Sequence, residues 1–265
     1  MLSLEYLLEE AKGNGLPILK KMGVLREYLQ VIILNSIFKH NLGKSMFFTG
    51  GTAMRFFYNM PRFSEDLDFD TPGLNFEDFM EISEWVKKGL LKEGFSIEVS
   101  SEKRDNVYVT ELYFKDVMET YKITDKRGMD LMVKIEVYKP SWDLQSESDV
   151  LSLYGYNFSS ILLEKGLLFS EKLCALVNRN RGRDIYDTLF MLRKRFPFNE
   201  DVLAANKIKG SPKDIILKHL KSLSEKELKF LADQVKPFLF KEDDIELVLN
   251  AVLYAEKFLR EYYTT

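Results

Sequence analysis

Asp66 and Asp68 stand two residues apart in the stretch SEDLDFD, with Leu67 and Phe69 between and after them. In a strand, residues two apart share a face, so the two carboxylates project together while Leu67 and Phe69 enter a core. Adjacent like charges repel and are poor structural devices, but they are good ligands for a hard divalent cation. Glu136, set between Ile135 and Val137, repeats the pattern on a later apolar run. Three acids on two neighbouring strands suit a two-metal site for Mg²⁺. One ion would lower the pKa of an attacking hydroxyl, and the other would hold a triphosphate and its leaving group. Asp70 offers a second Asp-x-Asp frame with Asp68. Asp66 with Asp68 is the preferred pair, because Phe69 then fills the following core position.

Upstream, the apolar run Ser45 to Thr49 meets Gly50, Gly51 and Thr52. Glycines allow close backbone approach, and free N–H groups at a helix start attract phosphate. Thr52 would add a hydroxyl donor. A Gly-Gly pair or an Asp-x-Asp pair alone is a weak signal. The order strand, Gly-Gly-Thr, helix, Asp-x-Asp strand and then a lone acid on a further strand is much stronger.

Hydrophobic periodicity places these residues on elements. Helices are expected over residues 3–11, 17–40, 52–59 and 76–92. Strands are expected over 45–49, 66–70, 95–100, 107–114 and 129–138. The last of these, MDLMVKIEVYK, is rich in Val and Ile and bounded by Gly128 and Pro140. Residues 143–160 are polar and irregular and read as a linker. From about Leu162 the patterns are almost all helical, with Ser170 as the cap of the first helix and Ser211-Pro212 opening another. The fold class is therefore α+β followed by an all-helical part, with domains expected at 1–160 and 161–265.

The bulk properties exclude several classes. The 265 residues are 46% hydrophobic and 30% charged, enough for a sizeable core. A lone Cys174 and two histidines rule out an internal disulfide and argue against Cys- or His-based metal sites. The N-terminus lacks the pattern of a signal peptide, and no apolar run is long enough to span a bilayer, which points to a reducing, cytoplasmic compartment. Charge is uneven. Residues 165–221 hold thirteen Lys/Arg against six Asp/Glu, a local +7 within a chain of net −3. Such a segment is either a solvated helical surface or the footprint of a polyanion.

The stretch FFTGGTAMRFFYNMPRFSEDLDFD resembles the signature of the AbiEii/AbiGii-type nucleotidyltransferase toxins, within the polymerase-β-like nucleotidyltransferase superfamily. EKLCALVNRNRGRDIYDTLFML resembles the family's lysine-then-Arg-Asp-x-x-Asp segment. The two segments bracket most of the chain; beyond about Ile215 no motif is recognised. The resemblance implies a nucleotidyltransferase-fold mixed β-sheet with flanking helices. It assigns Gly50, Gly51 and Thr52 to the triphosphate and Asp66 and Asp68 to metal. Glu136 matches the superfamily's third carboxylate, on which this family does not always rely. Lys172 would contact nucleotide phosphate or neutralise transition-state charge, and Asp187, or else Asp184, would sit near the nucleotide or Lys172. Arg62 and Ser64 fit an R-x-S-x-D pattern, with Ser64 touching phosphate. Gly-Gly-Thr replaces the superfamily's commoner Gly-Ser, a mild departure.

Read without the resemblance, Lys172 is a surface lysine. Asp184 and Asp187 are then a helix N-terminal charge pair, to which Arg179, Arg181 and Arg183 could bind. Arg55 reads as a salt-bridge partner for a nearby acid. The implied activity is Mg²⁺-dependent transfer of an NMP from an NTP to an acceptor hydroxyl, with RNA (tRNA) as acceptor, in the toxin of a toxin–antitoxin or abortive-infection system with a cognate antitoxin. The alternatives are transfer to a small molecule or a protein, and a non-catalytic NTP- or RNA-binding module, which would show a broken acid set.

Overall fold

A computed structural model describes residues 1–126 and 128–263, and these divide into two compact units: residues 1–59 with the described residues of 63–163, and residues 60–62 with 164–263.

The first unit is built on a seven-stranded mixed sheet. Its strands are β1 (Phe47–Thr49), β2 (Leu67–Asp70), β3 (Ile97–Arg104), β4 (Val107–Phe114), β5 (Leu131–Tyr138), β6 (Ser146–Leu153) and β7 (Tyr156–Leu163), in the spatial order β3-β4-β5-β2-β1-β7-β6. β2 runs antiparallel to β1 and parallel to β5, and β1 runs parallel to β7. The unit's helices are α1 (Leu4–Gly13), α2 (Lys21–Lys39), α3 (Gly50–Tyr58), α4 (Phe76–Lys92) and the single turn α5 (Val117–Thr120).

α2 is buried along nearly its whole length, from Val24 to Ile37, with apolar residues on every side and the buried polar residues Glu27 and Gln30 hydrogen-bonded. With α4 it covers the apolar face of the sheet. Phe38 lies 6.2 Å from Phe69 between ring centroids, and Phe79 lies 5.8 Å from Tyr108. Pleating then sends the intervening residues of β2 and β5 to the other face. Burial alternates strictly along β5, with Leu131, Val133, Ile135 and Val137 inside.

Two expectations for the first unit need correction. Residues 143–160 are not a linker, because β6 and β7 form a hairpin paired over eight residues and joined to β1 through Phe48 and Leu162. Its turn is Tyr154-Gly155, with φ of 51° and 76°. Positive φ at both central residues suits the twist of a two-residue hairpin, and Asn-Gly is the usual signal for it. Here Tyr154 takes the strained position, its ring buried at 1% exposure. β6 is an edge strand of mostly polar residues, so it lacks the alternation that betrays a strand. Helix α2 also begins later than expected, at Lys21, after a turn at Pro17–Leu19.

The second unit is helical: α6 (Lys165–Arg179), α7 (Gly182–Arg193), α8 (Glu200–Ala205), α9 (Pro212–Lys221), α10 (Glu225–Val235), α11 (Glu246–Leu249) and α12 (Ala251–Tyr262). α7 packs against α6, α10, α11 and α12, and buries Ile185, Tyr186, Leu189, Phe190, Met191 and Leu192. Residues 60–62 join this unit through the backbone, with Phe240 N–H donating to Pro61 O at 3.0 Å and Arg62 bridged to Leu239. Ser170 does not cap α6. The helix starts five residues earlier, where the Glu164 carboxylate accepts from Gly166 and Leu167 N–H, and Ser170 sits inside it, accepting from Asn199 N–H at 2.8 Å. Among the described residues no helix is long and apolar enough to cross a membrane.

Candidate active site

In the first unit, strand register brings the sequence-separated acids side by side. β2 pairs with β5 so that Asp68 is the direct partner of Glu136, and on the other side β1 pairs Thr49 with Asp68. Directly paired residues point to the same face. Asp66 precedes Leu67, the partner of Ile135, and so falls beside Lys134. Its carboxylate lies 3.8 Å from Lys134 Nζ, which in turn is 3.1 Å from Glu136 Oε1. Burial opposes the charge on Lys134, but Asp66, Glu136 and Asp68 outweigh it and hold its pKa above the ordinary lysine value. Among the described residues no three acidic, His or Cys side chains converge as a preformed cation cage. Mg²⁺ does not require one, since it takes one or two carboxylates and completes its shell with water and substrate phosphate. Asp66, Asp68 and Glu136 are hard oxygen donors on one face and fit that demand.

The turn from β1 into α3 is shaped around Asp68. Gly50 has φ of +75°, and a Cβ there would lie 2.1 Å from Asp68 Oδ2. The glycine is thus needed for its backbone and for the space it leaves. Gly50→Ala is expected to add left-handed strain of about 1–2 kcal/mol and to displace the Asp68 carboxylate as well. A thermal melt several degrees lower, with nucleotide affinity lost, would register both effects. Gly51 and Thr52 follow in the first turn, both buried. Thr52 Oγ1 donates to Asp66 O at 2.5 Å and is fully buried, so its hydroxyl locks the start of the acidic strand to α3.

Helix α2 fixes the remainder of this loop, a role that no local pattern announces. Gln30 Nε2 donates to Ser64 O and Glu65 O at 3.1 and 3.0 Å, and Arg26 pairs with Glu65 at 3.4 Å. Glu27 bonds Arg55 at 2.7 Å, both nearly inaccessible, which ties α2 to α3. Burial lifts the Glu27 carboxyl above its usual range, and Arg55 opposes that rise. Arg55 is therefore the salt-bridge partner that the sequence suggests. Ser64 is buried, with its backbone carbonyl engaged. Asp70, at 2% exposure, is deeper than Asp68.

The second unit holds its own charged cluster. Asp187, on α7, is fully buried and receives a bidentate pair from Arg62, Nε at 2.8 Å and a terminal nitrogen at 2.7 Å. Lys172 Nζ, on α6, lies 3.4 Å from the same carboxylate. Desolvation would raise the Asp187 pKa, yet Arg62 and Lys172 together bring it below the ordinary aspartate value. Asp184 is separate from this group. It pairs with Arg179 at 3.0 Å, and its other carboxylate oxygen accepts from the Arg181 backbone N–H at 3.4 Å at the start of α7. Lys172 and Asp187 thus come together and Asp184 does not join them. Sequence reading named Arg62 only within a pattern and missed its partner, 125 residues away. It also missed Lys134, whose i, i+2 spacing to Glu136 was the available signal.

Comparison with known proteins gives a consistent picture. Residues 32–247 match the family model described as nucleotidyl transferase AbiEii toxin, Type IV TA system. A crystal structure of a candidate nucleotidyltransferase from H. pylori superposes with a TM-score of 0.62 at 20% identity, covering 91% of this chain and 96% of that one. JHP933 from Helicobacter pylori superposes with a TM-score of 0.58 at 19% identity, covering 91% and 93%. At such identities the two structures establish the fold. Comparison with curated proteins finds no match.

Proposed function

Since the chain belongs to the AbiEii nucleotidyltransferase toxin family and is a nucleotidyltransferase, we propose that it moves an NMP from an NTP to an RNA hydroxyl with Mg²⁺, as the toxin of a toxin–antitoxin pair. The family implies an NTP substrate and an antitoxin partner. The observation that carries the chemistry is the register of Asp68 against Glu136, with Gly50 folded around the Asp68 carboxylate.

Asp66, Asp68 and Glu136 would hold Mg²⁺, which supplies charge neutralisation at the triphosphate and acidifies the attacking hydroxyl. The N–H groups of Gly50 and Gly51 at the start of α3 donate to phosphate oxygens, favoured by the helix dipole. Thr52 and Ser64 contribute by fixing the backbone of this loop. Lys172, held by Asp187, is the cation that the family resemblance assigns to nucleotide phosphate, with Asp187 and Arg62 as its positioning residues. Asp184 keeps the start of α7 in place.

The RNA acceptor is supported by the basic segment 165–221. Arg179, Arg181, Arg193, Lys194, Arg195, Lys207, Lys209, Lys218 and Lys221 are all exposed, and phosphate neutralisation dominates RNA affinity. Incubating the protein with Mg²⁺ and each α-labelled NTP, beside total tRNA, a protein lysate fraction or aminoglycosides, tests the acceptor. Label entering tRNA from one NTP, with a steep loss as salt rises, is the expected result. Label entering protein or a small molecule alone would overturn the RNA reading and keep the transferase.

A further inference from the structure

Lys134 has no place in the motif, yet its ammonium lies among the acids. The register fixes this, because Lys134 stands beside Asp66 just as Ile135 stands beside Leu67. Its Nζ is 3.1 Å from Glu136 Oε1 and 3.8 Å from Asp66 Oδ2. Glu111, its cross-strand partner on β4, accepts a hydrogen bond from the Tyr113 hydroxyl at 2.6 Å. Lys134 is also only about a quarter exposed, so its charge is poorly screened by water.

From this placement we infer that Lys134 is a resident counter-ion of the divalent-cation site, which keeps the site from filling with free metal and makes metal entry depend on the nucleotide. The inference rests on the assignment of Asp66, Asp68 and Glu136 as metal ligands. An ammonium in contact with the carboxylates that ligate a divalent ion repels that ion by about 1–2 kcal/mol even at the dielectric of water, a penalty of about tenfold in affinity. A triphosphate brings several negative charges, which offset the lysine and draw it from the carboxylates to phosphate oxygen. Metal and NTP therefore bind synergistically, and the acids do not repel one another while the site waits. Lys134 acts in this scheme through its charge alone and moves no proton.

The test is a Mn²⁺ titration followed by electron paramagnetic resonance and calorimetry, with and without a non-hydrolysable NTP. Wild type, K134Q, K134M, K134R and D66A/D68A are compared, each checked by thermal melting. Wild type and K134R should bind free Mn²⁺ weakly and much more tightly with nucleotide. K134Q and K134M should bind free Mn²⁺ about tenfold more tightly and lose most of the synergy. D66A/D68A should bind Mn²⁺ weakly in every condition. If wild type, K134Q and K134M bind free Mn²⁺ equally, the role of Lys134 is wrong and the metal site stands. If wild type binds no Mn²⁺ even with nucleotide, the metal assignment fails and the inference fails with it.

Discussion

Replacing Asp66 and Asp68 together by alanine lowers nucleotidyl transfer about a thousandfold or more, while the thermal midpoint stays within about 3 °C of wild type. The two effects separate because the carboxylates contribute little to the fold. Leu67 and Phe69 supply the buried face of β2, at 0% and 1% exposure, and the substitution leaves them in place. Lys134 keeps Glu136 at 3.1 Å as its partner, so the substitution does not leave its ammonium unpaired. The rate loss comes from metal and from the triphosphate charge that the metal would neutralise, a stabilisation of several kcal/mol in the transition state. Single-turnover rates beside calorimetric melts would measure both. A variant that unfolds, or one that keeps more than a tenth of the rate, would contradict this assignment.

The second large effect is on stability. Arg62→Met should destabilise the protein by about 3–5 kcal/mol, because it strands the buried Asp187 carboxylate with Lys172 as its remaining cation. Arg62 is itself 2% exposed, and both of its hydrogen bonds to Asp187 are buried. Lysine at position 62 could not restore the bidentate fork. At roughly 2–4 °C per kcal/mol for a chain of this length, the melt should fall by about 10 °C.

Acid provides an independent reading of the same carboxylate. Asp187 has a folded pKa below its unfolded value near 4, so its pairing contributes stability above that pH. The contribution is lost as pH falls through the lowered folded value. Asp187→Asn should therefore show a shallower loss of stability below about pH 4 than wild type. Equal slopes for the two proteins would show that the carboxylate gains nothing from Arg62 and Lys172.

The sequence made the acidic strand legible because alternation is a local property. Asp66-Leu67-Asp68-Phe69 and Lys134-Ile135-Glu136-Val137 each announce one buried and one open face within four residues. Helix α4 matches its expected span of 76–92, since Asn75 caps it and its apolar stripe is regular. What remained hidden depends on distant partners. The clamp of Arg26, Glu27 and Gln30 lies on a helix whose pattern says only that it is buried. The Arg62–Asp187 pair joins residues with no common local signal, and Lys172 gains its meaning only when α6 and α7 meet. The hairpin of β6 and β7 was lost because an edge strand of Ser, Glu and Asp reads as coil until its partner is known.

The most direct test of the transferase reading is pyrophosphate release. Purified protein with Mg²⁺, total tRNA and each NTP in turn should release one pyrophosphate per nucleotide transferred. Release should cease with EDTA and with Asp68→Ala. Tight NTP binding without any pyrophosphate, whichever NTP and acceptor are supplied, would contradict it and leave a nucleotide-binding module.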